Sequence, residues 1–355
     1  MPLIIEGRVP TRWAQKSDSR AVVSIDRYVK RAKCIHLGLI NNMPDAALED
    51  TELQFFELLD IASGDVPIFL KLYSLTGVPR ADRGQRHLNE FYFGLDELWN
   101  SQLDGVIVTG TEPRQPDLRQ ESYWSALTDV LDWAERNTVS TVLSCLAAHA
   151  GVLHSDGIQR HLLSDKQFGV FESTTLSDHE LTRHATSLLR FPHSRWNELR
   201  ENELIACGYE VLTKSDQAGV DVFVKQKKKS LFVHFQGHPE YQAETLFKEY
   251  RRDIKRFLRG ERENYPTMPH GYFDQGAARI LTDFQRMAVA DRREEHLALF
   301  PETVAKSLQK TWQSAATCIY RNWLQYVLAK TAEASRFVPV TDSCGAAEPR
   351  RSAVL

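Results

Sequence analysis

The chain is 355 residues long, 42% hydrophobic and 26% charged, an ordinary globular composition with room for one large or two modest domains. Its formal net charge of −3 argues against a nucleic-acid or polyanion partner, and no apolar run approaches the roughly twenty residues that span a membrane. Five cysteines fit neither a disulfide framework nor a metal knuckle, and the N-terminus lacks a secretory pattern, so reduced thiols in a cytoplasmic protein without a metal site are expected.

Residues 1–30 carry polar and charged side chains without period and are expected to form a loosely packed arm ahead of a domain over 31–335. The first strand, 34–40, ends at the turn signal Asn41-Asn42-Met43-Pro44. A helix follows over 45–62, with Leu53, Phe56, Leu58 and Leu59 near helical spacing and acidic residues in its first turns. Residues 68–75 read as a second strand, 76–90 as a polar loop, and 87–93 and 95–99 as short helical pieces. The third strand, 105–109, runs into a loop over 110–116 stiffened by Pro113 and Pro116. A helix over 123–136 precedes the fourth strand, 141–144, which leads to Cys145.

Strands alternating with helices predict an α/β fold with a mostly parallel sheet flanked by helices. In such sheets ligands bind at the carboxyl ends of the strands, where the loops 41–46 and 110–116 and the turn at Cys145 converge. Residues 150–205 read as strands and loops near a site. Three short strands at 209–213, 220–224 and 230–235 suggest antiparallel pairing, with the basic run Lys225–Lys229 as a solvated hairpin turn. A helix over 241–260 shows one apolar face, including Leu246, Phe247, Tyr250 and Ile254. Residues 260–310 are charged and helical in character, 318–328 form an aromatic helix packing back on the body, and 336–355 are expected to be a disordered tail.

Cys145 is the first candidate for chemistry. A strand-to-helix turn exposes a side chain at the sheet edge and places it at a helix N-terminus, which favours a thiolate. Ala147, Ala148 and Ala150 let the helix approach closely. The backbone N–H of Leu146 would face an oxyanion, with a second donor from the loop around Thr111 and Glu112. His238, in Gly-His-Pro-Glu past a strand end, is the candidate base, and Glu240 could orient it. His149 and His234 are rival bases. A core cysteine and a turn histidine capped by a carboxylate are the plainer alternatives, and residue chemistry alone leaves them open.

These residues carry a resemblance. Ser-Cys145-Leu-Ala-Ala and Gly237-His-Pro-Glu-Tyr241, with Asn42-Met-Pro44, Val108-Thr-Gly110, Pro192-His-Ser-Arg195 and Asn322-Trp-Leu-Gln-Tyr326, resemble the homoserine O-acyltransferase family of methionine biosynthesis. The similarity runs from about Lys33 to Val327, with 275–312 as a helical addition. It implies a fold similar to class I glutamine amidotransferases (flavodoxin-like), with additional C-terminal helices, and a homodimer. It also implies ping-pong acyl transfer from an acyl-CoA co-substrate to L-homoserine with no bound cofactor. By position Cys145 is the nucleophile, His238 the base and Glu240 its orienter, while Lys166, Ser194, Glu249 and Arg252 match substrate-binding residues. Glu249 and Arg252 share a helix face, and their charges suit an α-ammonium and an α-carboxylate; a surface ion pair is the alternative.

Two positions depart from the family. The lysine that usually follows Met-Pro is missing from Asp45-Ala46-Ala47-Leu48. The position that separates succinyl-CoA users (glycine) from acetyl-CoA users (glutamate) is Arg114, whose charge suits a succinyl carboxylate and whose bulk could fill the space. The expected activity is therefore homoserine O-succinyltransferase. An acetyl donor or a serine acceptor, a glutamine-amidotransferase-like hydrolase, and a non-catalytic member of the fold are the alternatives.

Overall fold

Short buried runs of valine, isoleucine and leucine build the centre of the protein. The structure is a computed structural model that describes residues 3–17 and 34–336. The first half comprises β1 (Leu3–Ile5), α1 (Thr11–Ser17), β2 (Ile35–Ile40), α2 (Leu48–Ala62), β3 (Ile68–Tyr73), α3 (Asp82–Phe91), α4 (Leu95–Asn100), β4 (Gly105–Val108), α5 (Trp124–Asn137), β5 (Ser140–Ser144) and α6 (Leu146–Asp156). There follow β6 (His161–Thr175), β7 (Leu188–Glu198), α7 (Glu201–Ala206), β8 (Glu210–Val211), β9 (Thr213–Ser215), β10 (Gly219–Val220), β11 (Val222–Lys227), β12 (Ser230–Phe235), α8 (Thr245–Leu258), α9 (Gln275–Ala290) and α10 (Gln313–Arg336).

The main sheet has the order β1-β3-β2-β4-β5-β12-β11-β8, parallel from β1 to β12 and antiparallel at β11 and β8. Its strands are buried on both faces, as a parallel sheet between helices requires. Leu37, Leu39, Ile107 and Val142 join one core with α2, α8 and α10; Ile40, Val106, Val108 and Leu143 join another with α4, α5 and α6. Alternate residues of one strand thus serve opposite layers. The indole of Trp323 on α10 donates to the buried Ser140 hydroxyl at 2.9 Å, which ties the C-terminal helix to β5. A second, antiparallel sheet has the order β10-β9-β6-β7.

The α/β architecture is the one expected, and β11 and β12 form the antiparallel hairpin expected around the lysine run. Two expectations fail. Residues 3–17 are not a loose arm: β1 pairs with β3, and Trp13 is buried against Phe56 with ring centroids 5.5 Å apart. The remainder of the 1–30 segment falls in 1–2 and 18–33, which lie outside the described residues, as does 337–355 of the expected tail. Residues 82–91, expected mostly as loop, are α3. Its sequence is polar, and it is held to α2 by ion pairs from Arg83 to Glu49 and His87 to Glu52. The mixed segment 150–205, expected as strands and loops, contains two long paired strands, β6 and β7, with a bulge between Leu162 and Gln167 that blurs their alternation.

Candidate active site

The loops at the carboxyl ends of the parallel strands are tied together before any catalytic residue is placed. Asn42, just past β2, donates its N–H to Thr109 Oγ1 at 2.8 Å and its amide to the Thr109 carbonyl at 3.1 Å, and accepts the Leu75 N–H at 3.0 Å. One buried amide thereby joins the segments that follow β2, β3 and β4.

Cys145 sits between β5 and α6 with φ 52° and ψ −112°, a left-handed conformation uncommon for a residue with a side chain. Such strain persists only where the surroundings impose it. Here the Cys145 N–H donates to the Phe235 carbonyl at 2.8 Å, and its own carbonyl accepts the Ala148 N–H at 3.0 Å as α6 begins. The following Leu146 N–H belongs to the first turn and has no acceptor within the helix. Gly110 packs against it: a Cβ there would come within 2.9 Å of Leu146 N, so only glycine lets the β4 loop approach this closely.

His238 follows β12 and is buried, with its N–H given to the Pro192 carbonyl at 2.7 Å. Its Nδ1 lies 2.8 Å from Glu240 Oε1, and its ring stacks on Tyr241 with centroids 4.2 Å apart. Burial is the largest single influence on this imidazole and pulls its pKa down. Negative charge at Cys145 and Glu240, with hydrogen bonds to both side chains, outweighs it and holds the pKa well above the ordinary histidine value. The glycine before His238 has a steric reason. A Cβ on Gly237 would meet Asp221 Oδ1 at 2.8 Å and His193 Nε2 at 3.0 Å, and its N–H donates to that same Asp221 oxygen at 2.9 Å. Burial raises the Asp221 pKa to about 6, although the Gly237 N–H and the charges of Arg195 and His238 act against it.

The four substrate-binding candidates converge on one carboxylate. Glu249 on α8 accepts from the Ser194 hydroxyl, from Lys166 Nζ at 3.4 Å and from the Tyr241 hydroxyl at 2.9 Å, and Arg252 Nη2 lies 3.7 Å away. Lys166 also contacts Asp253 at 3.4 Å and lies over the Phe168 ring, 3.9 Å from its centroid. Tyr241 therefore links this cluster to the His238 ring. Glu112 stands exposed on the β4 loop, where its charge adds to that of Glu249 and Asp253 in raising the Arg252 pKa against burial. Arg114, on the same loop, is exposed, and its N–H donates to Glu121 at 2.6 Å.

The rival histidines have other partners. His149 Nε2 pairs with Gln236 Oε1 at 3.0 Å, and burial, reinforced by the charges of Arg195 and Arg160, lowers its pKa to about 3. His234 stacks on Phe223 at 4.6 Å, and burial lowers its pKa to about 3 as well. Three residues near the centre were missed. Tyr241 and Arg195 stand inside the quoted motifs without an assigned role, and Arg160 stands in none. Both arginines are close enough for charge at Cys145 to act on them, opposing the downward pull of burial on their pKa values. Charge in the flanking motif was the only available signal for Arg195. Among the described residues no cluster of histidine, cysteine and carboxylate suits a metal ion, and no helix is long and apolar enough to cross a membrane.

The chain is 42% identical over 315 residues to a homoserine O-succinyltransferase of Rhodopseudomonas palustris, covering 87% of this chain and 94% of the relative. It is 44% identical over 303 residues to one of Methylorubrum extorquens, covering 85% and 89%. A solved glutamine amidotransferase from Thermotoga maritima is similar at 13% identity and a TM-score of 0.41, over 83% of this chain and 98% of that one. The model of the homoserine O-succinyltransferase family matches residues 2–334, and with relatives at this identity and coverage the chain belongs to that family and is an acyltransferase.

Proposed function

We propose that this protein transfers a succinyl group from succinyl-CoA to the hydroxyl of L-homoserine through a thioester on Cys145. His238 takes the Cys145 proton as the sulfur attacks the thioester carbonyl. The bond to CoA sulfur breaks, and the CoA thiol leaves with that proton. In the second half, His238 takes the homoserine hydroxyl proton and the oxygen attacks the acyl group. The bond to Cys145 breaks, and the proton returns to Sγ. Glu240 holds the imidazole by Nδ1 so that Nε2 faces the reacting atoms. Leu146 N–H and the backbone at Glu112 stabilise the oxyanion, Glu249 meets the homoserine ammonium, and Arg252 meets its carboxylate beside Lys166 and Ser194. By its resemblance to the family, the reaction belongs to methionine biosynthesis in the cytoplasm, carried out by a homodimer.

One observation carries this reading most: a cysteine held at φ 52° at a helix start, with a buried histidine whose basicity is raised by that cysteine and by Glu240. The test is intact mass after incubation with succinyl-CoA and no acceptor. A succinyl adduct is expected on the protein, absent in Cys145→Ala and discharged by homoserine. No adduct, and no CoA release when homoserine is supplied, would sink the proposal.

A further inference from the structure

Glu249 and Asp253 stand four residues apart on α8, so their carboxylates share one face of the helix, an arrangement that like charges disfavour. Lys166 resolves the conflict from β6, with Nζ 3.4 Å from an oxygen of each. Glu249 already belongs to the acceptor clamp. Asp253 is 5% exposed and has no part in the chemistry described so far. Yet more cations gather on it than on Glu249: besides Lys166 and Arg252, Arg256 Nη1 lies 3.9 Å away and Arg262 Nη1 3.8 Å away.

The contact with Arg252 differs from the rest. Arg252 donates Nε to Asp253 Oδ1 at 3.2 Å, while its Nη2 is 3.7 Å from Glu249, beyond hydrogen-bond reach. A guanidinium presents its donors in one rigid plane. Held at Nε, it keeps its two Nη groups, and these form an edge that takes a carboxylate by two parallel bonds. The Arg252 side chain is 50% exposed, so without a tether it would lose rotamer freedom on binding. The tether is buried, and its other oxygen is anchored by Lys166, itself buried and packed over the Phe168 ring. Arg252 is thus aimed from beneath, by a carboxylate that solvent scarcely reaches.

We infer that Asp253 is a positioning residue for the acceptor: it fixes the Arg252 guanidinium by Nε so that the Nη edge meets the α-carboxylate of the amino acid. The inference rests on the role proposed above for Arg252 and adds how that residue is aimed. Asp253 acts through Arg252 and takes no proton. Charge alone predicts the opposite effect. Asp253→Asn makes an already cationic cluster more positive, so a purely electrostatic role would tighten carboxylate binding. Loss of aim weakens it, and the sign of the KM change separates the two.

The experiment is steady-state transfer from succinyl-CoA by the full-length protein to L-homoserine and to 3-amino-1-propanol, which keeps the ammonium and hydroxyl and lacks the carboxylate. Asp253→Asn is expected to raise the KM for homoserine by about 10-fold, with kcat and the rate of Cys145 acylation within about twofold. For 3-amino-1-propanol kcat/KM should change by less than about threefold. In an Arg252→Ala background Asp253→Asn should add less than about twofold, because the group it aims is gone. Arg252→Lys leaves Asp253 in place and does not depend on the folding of the amide variant. An ammonium held by Asp253 has no second edge to offer, so its KM should approach that of Arg252→Ala. An unchanged or lowered KM in Asp253→Asn, additive losses in the double variant, equal loss with both acceptors, or a wild-type KM in Arg252→Lys overturns the inference. An Arg252→Ala protein that keeps the wild-type KM for homoserine refutes the acceptor reading itself, whereas a raised KM there with a normal Asp253→Asn refutes the positioning role alone.

Discussion

Two histidines four residues apart, His234 within β12 and His238 just past its end, differ in almost everything except burial. His234 is fully buried and stacked on Phe223, with no carboxylate paired to its ring; burial takes its pKa to about 3. His238 is buried nearly as deeply, but burial loses to Cys145 and to the Glu240 carboxylate 2.8 Å from Nδ1, and its pKa moves the other way. Burial by itself makes an imidazole neutral filler. A charged partner within hydrogen-bonding distance converts the same group into a base, and here the conversion occurs where the strand ends and the glycine turn begins.

The comparison breaks first at Glu240. Glu240→Gln keeps the shape and removes the charge, so His238 should fall back toward the behaviour of His234, with turnover reduced by about 10³-fold or more. A loss under tenfold in steady-state assays would mean that the carboxylate is not what separates the two histidines. Next is Arg252→Ala, which leaves the His238–Glu240 pair untouched. The KM for homoserine should rise by about 10- to 100-fold while the rate of Cys145 acylation stays within about threefold. Equal damage to both half-reactions would make Arg252 structural.

The smallest effect on turnover, within about twofold, is expected for His234→Phe, whose signature is acid stability. The unfolded chain titrates this imidazole near 6.5 and the folded protein near 3, so between those values the unfolded state binds the extra proton. Stability is therefore lost as pH falls through that window, by about 4 kcal/mol at its lower end. Removing the group should move the acid-unfolding midpoint, followed by circular dichroism, to lower pH. An unchanged midpoint would show that His234 is not buried neutral.

The sheet centre was readable because β2, β4 and β5 are apolar runs closed by turn residues, and the Cys145 turn follows from them. The second sheet was not, since β6 is half exposed and bulged and offers no steady alternation. Nor was α3, where polar residues carry the helix and its ion pairs to α2 come from a distant stretch of sequence. At the site, the motifs brought out Cys145, His238, Glu240 and the group of Lys166, Ser194 and Arg252 around Glu249. Arg160 escaped because it stands in none of the quoted motifs, and its bond to the Pro116 carbonyl joins segments far apart in sequence.

The main sheet ends on a three-residue strand, β1, at one edge and a two-residue strand, β8, at the other. Edges that short offer few free backbone groups for another chain to pair with. A second copy cannot readily extend this sheet, so association between copies is steered toward side-chain surfaces on the helices and loops. The loops at the strand ends, where Cys145 and His238 sit, are thereby kept clear of a growing ladder.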